Sequence, residues 1–189
     1  MRGEKRERIL RVLLNSKEAL SKNEISKQAE CTRQWVILFL KELKKKKLIK
    51  DTQSKDKKKL LEYWINISKK PRKFRSYMIK EPLEFLKKSK LDYALTTYQA
   101  ENIVQNYLFP SRIDIYIKKA DLDKWNSLIT KNGLYGKGNF RILLEDEQVF
   151  YKRRKINGFT VVCLPQLILD LKQEGGVCGE AAERLLESL

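Results

Sequence analysis

Residues 21–44, SKNEISKQAECTRQWVILFLKELK, decide how the first third of the chain is read, and the flanking segments are placed by them. Ser21-Lys22-Asn23-Glu24 has the spacing of a capping box, in which a serine hydroxyl accepts from the third helical amide and a glutamate reaches back to the serine amide. Leu20 and Ile25 stand where a hydrophobic staple closes, so a helix is expected from about Lys22 to about Ala29. Glu30-Cys31 then interrupts the pattern, and Thr32 offers a second N-cap before the apolar run Trp35-Val36-Ile37-Leu38-Phe39-Leu40. Val36, Phe39, Leu40 and Leu43 recur at helical spacing and predict a buried seam, which leaves Gln34, Ile37, Lys41 and Lys44 on a different face. Trp35 and Leu38 belong to neither set; burial within the chain is expected of both, because core is the commoner fate of such a pair, with packing against a partner subunit as the alternative.

Upstream, residues 4–16 read as a first helix with Ile9, Leu10, Leu13 and Leu14 on one stripe and Lys5, Arg6, Arg8 and Arg11 elsewhere. Downstream, Leu48-Ile49-Lys50 reads as a strand, 52–59 as a polar loop, and Leu61, Tyr63, Ile65 and Ile67 alternate as a returning strand. Three helices followed by a basic hairpin are the elements of a winged helix-turn-helix, whose third helix enters the major groove with its N-terminal residues at the base edges. Thr32, Arg33, Gln34, Ile37 and Lys41 are therefore the candidate base-contacting residues. A guanidinium pairs bidentately with guanine and a carboxamide with adenine. Contacts to the DNA backbone are expected from Ser21, Lys22, Lys44, Lys45, Lys55, Lys57, Lys58, Lys59, Lys69, Lys70 and Arg72, which position the protein without reading sequence. The partner implied is double-stranded DNA, engaged by a homodimer on a two-fold operator.

Charge points the same way. The 189 residues carry a formal net charge of +17, and residues 1–80 hold 25 Lys plus Arg against 9 Asp plus Glu. Nearly all the excess sits in the first half, where its field attracts polyanions. Read singly, the run from Lys44 to Lys47 is a solvated helix end and a Lys-rich loop serves solubility. The order of capped helices, turn and basic hairpin is more specific, because it gathers that charge around one exposed helix.

Composition also removes whole classes of chemistry. The chain has no histidine, which excludes Ser-His-Asp and Cys-His nucleophile pairs and His-ligated metals. Cys31, Cys163 and Cys178 are odd in number and widely spaced, and read as small buried hydrophobes rather than a disulfide framework or a zinc site. The longest apolar run, Trp35 to Leu40, falls far short of the roughly 20 residues of a membrane span, and the charged N-terminus is unlike a signal peptide. A cytoplasmic protein without cofactor, metal or catalytic residues is expected.

Ser68-Lys69-Lys70-Pro71-Arg72-Lys73-Phe74-Arg75 breaks the preceding pattern with proline and cations, which divides the chain into a DNA-binding domain at 1–70, a basic linker at 71–80 and an α+β regulatory or interaction domain at 81–189. Within the last, 82–88, 98–108, 120–129, 164–172 and 179–186 read as helices, and 91–95, 112–117 and 140–144 as strands. Residues 149–151 and 159–162 flank a hairpin carrying Asn157-Gly158. The fold class is α+β, an N-terminal winged helix-turn-helix followed by a small mixed sheet covered by helices. Asp114-Ile115-Tyr116 sits on a strand as a nucleotidyltransferase carboxylate would, but Tyr116 replaces the second acid, and Asp121-Leu122-Asp123 lies at a helix start, where acids stabilise the helix end without a metal. An enzyme with Asp114, Asp121 and Asp123 as metal ligands is thus the least favoured alternative. Lys118-Lys119 and Lys152-Arg153-Arg154-Lys155 read as solvated turns, with a toxin or nucleic acid as their alternative partner.

Tyr93-Ala94-Leu95-Thr96 followed by Ala100, the strand at 113–117, the run Val161-Val162-Cys163-Leu164-Pro165-Gln166-Leu167-Ile168-Leu169-Asp170-Leu171, and Gly179-Glu180-Ala181-Ala182-Glu183-Arg184-Leu185-Leu186 carry a resemblance that covers most of the chain. In these segments it resembles the AbiEi family of type IV antitoxins and related regulators, in which a winged helix precedes an α+β domain. Ala94 stands where several members of that family have Gly. The resemblance implies a repressor of its own operon in a toxin-antitoxin system. It also implies an interaction protein that neutralises a cognate nucleotidyltransferase-like toxin, the main alternative to DNA binding alone.

Overall fold

Both cap signals form. In the computed structural model, which describes residues 2–68 and 73–189, α1 (Arg2–Asn15) is followed by α2 (Lys22–Gln28) and α3 (Arg33–Lys45). The Ser21 hydroxyl accepts from the Glu24 amide at 3.1 Å while the Ser21 amide donates to the Glu24 carboxylate at 2.7 Å. Those bonds hold the Glu24 carboxyl below its ordinary pKa. The Thr32 hydroxyl accepts from the Trp35 amide, and Val36, Phe39, Leu40 and Leu43 make the expected buried seam of α3.

The connection between α2 and α3 closes without glycine. The Glu30 amide donates to the Lys27 carbonyl and the Cys31 amide to the Ser26 carbonyl at 3.0 Å, the two bonds of a Schellman motif, with Glu30 in the left-handed region at φ 49°. Lys47 repeats the arrangement at the end of α3, at φ 59°. A side chain at such a position costs about 1 to 2 kcal/mol, while glycine gives back roughly 0.5 to 1 kcal/mol of it in chain entropy. The Glu30 carboxylate pairs with Arg8 at 3.2 Å but is largely solvated, so that pair contributes only a few tenths of a kcal/mol. Glu30→Gly is expected to raise stability by roughly 0.5 kcal/mol, seen as a higher urea midpoint at unchanged slope. A lower midpoint would show that the Arg8 pair outweighs the backbone strain.

After α3 the structure departs from the sequence expectation. β1 (Ile49–Lys50) and β2 (Gln53–Ser54) pair antiparallel, with Ile49 opposite Ser54, around Asp51 at φ 55°. The expected returning strand is instead a helix, α4 (Lys57–Ile67), and Lys57, Lys58 and Lys59 form its first turn rather than the tip of a long wing. Asp56 caps it, accepting from the Lys59 amide at 3.2 Å. Leu61, Tyr63, Ile65 and Ile67 do alternate, but that pattern omits Leu60 and Trp64. Leu60, Leu61 and Trp64 lie on one helical face and are fully buried. Tyr63 donates to Glu42 of α3 at 2.8 Å, and burial together with that carboxylate pushes its pKa up to about 12.

β3 (Phe74–Ile79) occupies most of the stretch expected to be a basic linker. Lys73 and Lys80 flank it and Arg75 lies within it, and only Tyr77 and Ile79 of its residues are buried, so the alternation is too short to announce itself. It is followed by α5 (Pro82–Lys88), β4 (Ala94–Thr96), α6 (Thr97–Gln105), β5 (Ile113–Tyr116), α7 (Leu122–Thr130), β6 (Gly133–Tyr135), β7 (Phe140–Leu143), β8 (Arg154–Ile156), β9 (Phe159–Val161), α8 (Leu164–Glu174) and α9 (Val177–Glu187). The expected strand at 149–151 is not formed: Glu147–Phe150 is a 3-10 turn begun by Asp146, and β8 starts only at Arg154.

Among the described residues seven strands form one mixed sheet in the order β6-β3-β7-β5-β4-β9-β8, with β5 parallel to β7 and β4 parallel to β9. The edge strand β6 depends on glycine, since a Cβ on Gly133 would lie 2.3 Å from the Met78 carbonyl oxygen and one on Gly138 2.2 Å from that of Tyr77. The fold is thus α+β. α8 packs on α6 and α9 and also on α1 and α4, so the buried residues of both halves of the chain belong to one continuous core. No helix among the described residues is long and apolar enough to cross a membrane.

Candidate nucleic-acid interface

The seam of α3 is buried and its opposite face is outward. Thr32, Arg33, Gln34, Ile37 and Lys41 are all exposed, as are Lys44 and Lys45 one turn further along. Gln34, Ile37 and Lys41 share a side at helical spacing, while Arg33 and Thr32 open the first turn. Two large apolar residues interrupt this polar surface: Ile37 is 36% exposed and Leu38 55%. Burial is expected for Leu38 and does not occur, because it sits between the seam and the outward stripe and no element among the described residues covers it. Trp35 is half-buried, with the Lys5 ammonium 5.4 Å from its ring centroid, a cation–π contact to α1.

The cations around α3 differ in how committed they are. Ser21 and Lys22 at the start of α2 are exposed, although the Ser21 hydroxyl is occupied as a cap. Lys44 approaches Asp51 of the β1–β2 turn at 3.4 Å, and Lys59 approaches Asp56 at 3.8 Å. Both pairs are solvated and readily exchanged for another anion. Lys45, Lys55 and Lys58 are exposed, and Lys57 is half-buried. Placing Lys57, Lys58 and Lys59 in the first turn of α4 sets three cations against the positive end of a helix, an arrangement that an anion relieves. Lys69, Lys70 and Arg72, also expected at the backbone, lie outside the described residues.

The elements bearing this surface are held by a buried polar network that the sequence did not reveal. Arg11, expected off the apolar stripe of α1, is 2% exposed, because Ile9, Leu10, Val12, Leu13 and Leu14 are also buried and α1 is covered all round here. Its guanidinium donates to the Gln166 side-chain oxygen at 2.9 and 2.7 Å and to that of Gln148, and lies 5.1 Å from the Trp64 ring centroid. Burial pulls its pKa below the ordinary guanidinium value. Gln148 in turn donates to the Gln28 carbonyl of α2 at 3.1 Å. Gln166 donates to Asp170 at 2.6 Å, whose other oxygen accepts from Tyr116 at 3.0 Å and from Thr96. A chain of hydrogen bonds therefore runs from α2 through α1 to the central strands. The only sequence trace of it is an apolar stripe on α1 too wide for one face.

Two of the three candidate metal-ligand carboxylates, Asp114 and Asp121, are engaged otherwise. Asp114 is buried, accepts from Arg112 at 2.7 and 2.9 Å, and also accepts from Thr97. Burial opposes the Arg112 charge, yet its hydrogen bonds to Asp114 and Glu174 hold its pKa above the usual guanidinium value. Asp121 pairs with Lys124, and Asp123 lies exposed in the first turn of α7. Among the described residues no group of three or more His, Cys, Asp or Glu side chains is gathered as a metal site would need. Cys163 and Cys178 are buried, whereas Cys31 is half-buried rather than inside the core.

Comparison with known proteins adds no relative. No protein-family model matches the chain, and no curated protein or solved structure does.

Proposed function

We propose that this chain is a sequence-specific double-stranded DNA-binding transcriptional regulator, an autorepressor of the antitoxin type, that docks α2 and α3 as a helix-turn-helix. The observation that carries the proposal is the outward face of α3, where Arg33, Gln34, Ile37 and Lys41 are exposed on a helix capped at its start and buried along its opposite seam. Arg33 and Gln34 are chemically suited to guanine and adenine edges, and Ile37 to a thymine methyl group. The β1–β2 hairpin is shorter than the wing the sequence pattern implies, so in this reading the backbone role falls to Lys55 beside the hairpin and to Lys58 and Lys59 at the start of α4, where a phosphate also meets the helix dipole. In this reading a homodimer meets a two-fold operator, and autoregulation follows from the family resemblance.

The test is binding of the full chain to its own upstream duplex and to random duplex across a salt series. Tight, salt-steep binding to both is expected, with log K falling by about 0.9 per phosphate contacted for each tenfold rise in salt, and with the upstream duplex preferred by about a thousandfold or more. Absence of duplex binding at low salt would remove the proposal. A second reading, an interaction protein that neutralises a toxin, draws on the exposed apolar residues Phe74, Met78, Leu134 and Tyr135 on the β3–β6 edge of the sheet. It would stand alone after that outcome.

A further inference from the structure

A second basic surface is assembled from residues distant in sequence. A cleft of about 580 Å³ separates the α1–α2 connection from the loop that precedes β8, and its lining includes Lys17, Lys152, Arg153 and Arg154 against a single carboxylate, Glu18. Like charges around a concavity repel one another and raise the local potential for anions. Among the described residues only Arg153 of these four has an ionic partner, Asp92, and it also lies 5.1 Å from the Phe150 ring centroid. Lys152 and Arg154 are exposed.

The loop that carries Lys152 and Arg153 and leads into Arg154 of β8 is fixed, not a freely solvated turn. Tyr151 donates to the Gln28 side chain of α2, and Gln148 donates to the Gln28 carbonyl. Asp146 caps the preceding 3-10 turn, accepting from the Gln148 amide at 2.9 Å, and is itself paired with Arg8 at 2.8 Å. The opposite wall is continuous with the surface already described. Leu20, in the cleft lining, immediately precedes the Ser21 cap of α2, and Gln53 of β2 donates to the Lys17 carbonyl at 3.3 Å. Lys17 therefore sits between the hairpin that leads to Lys55 and the cations of the cleft.

We infer that this cleft takes the phosphodiester backbone of the same duplex beyond the segment met by α3, so that Lys152 and Arg154 are phosphate-contacting residues supplied by the C-terminal half. The inference rests on the DNA-binding reading and assigns that half a direct share of the footprint. Arg153, oriented by Asp92 and Phe150, stiffens the loop, while Lys17 closes the cleft from the other side.

The experiment compares three full-length proteins on the upstream duplex and on random duplex across a salt series: wild type, Lys152→Ala/Arg154→Ala, and Lys131→Ala/Lys137→Ala. The last pair removes two exposed cations that flank β6, at the opposite edge of the sheet. For the cleft variant the slope of log K against log salt is expected to fall by about 1.8, and binding at 0.15 M salt to weaken roughly thirty-fold on both duplexes, leaving their ratio unchanged. The control variant should keep the wild-type slope. Wild-type binding with an unchanged slope in the cleft variant overturns the inference and leaves the DNA-binding reading intact. An equal loss of slope in the control overturns it as well, because the effect would then be one of overall charge. Failure of the wild type to bind duplex overturns that reading instead.

Discussion

Arg11→Met lowers the stability of the folded chain by about 2 to 4 kcal/mol, the cost of leaving two buried carboxamide oxygens short of donors, less the desolvation of the guanidinium that is relieved. Methionine fills much of the same volume and retains the contact with Trp64, so the loss is not chiefly one of packing. The Gln166 and Gln148 oxygens lose the donors that reach them from Arg11, in a region where water does not replace them. Arg11→Lys keeps the charge but not the planar fork that serves both glutamines, so an intermediate loss is expected. For a chain of this length each kcal/mol is worth about 2 to 4 °C, which puts the melting temperature of the methionine variant roughly 10 °C below wild type. Equilibrium unfolding in urea checks this directly. A midpoint within error of wild type would show that the network does not join the two halves of the chain.

Arg33→Ala and Gln34→Ala produce the largest effect expected on function. Each bidentate base contact is worth about 1 to 3 kcal/mol of discrimination, so each variant should lose roughly five- to 150-fold in affinity for the upstream duplex. Binding to random duplex is expected to change little for Gln34→Ala, and by no more than one phosphate-sized increment for Arg33→Ala. Both side chains are exposed and outside the buried seam, so thermal stability should stay within about 0.5 kcal/mol of wild type, separating lost recognition from lost fold. Competition of upstream against random duplex provides the measurement. Unchanged discrimination in both variants would take base reading away from α3.

The same outward face of α3 illustrates what was legible in the sequence. Val36, Phe39, Leu40 and Leu43 announce the seam, and the seam leaves Gln34, Ile37 and Lys41 on the other side, whatever else the chain does. Leu38 stays exposed where burial is expected, because periodicity fixes which residues share a face, not whether another element arrives to cover it. In α4, the choice between period 2 and period 3.6 turned on which apolar residues were counted. Leu60 and Trp64 settle it through their burial beneath α1 and α8. β3 and β6 are not legible in the sequence for a related reason: they become strands by pairing with one another, and β3 also with β7, and the glycines at 133 and 138 are required only once Tyr77 and Met78 lie against them.

The primary chain dictates whatever is settled within one turn of helix: the Ser21 and Thr32 caps, the buried seam of α3, the cationic character of the first half and the absence of histidine chemistry. Long-range packing governs the rest. Arg11 becomes a buried hub only because Gln148 and Gln166 are brought to it from 137 and 155 residues away, and Lys152 and Arg154 join the basic half only because their loop is clamped to Gln28. A cap or a helical stripe involves neighbours a few positions apart, whose geometry the backbone itself imposes. A buried hydrogen bond or a shared cleft involves partners whose meeting depends on how the whole sheet and its helices close together.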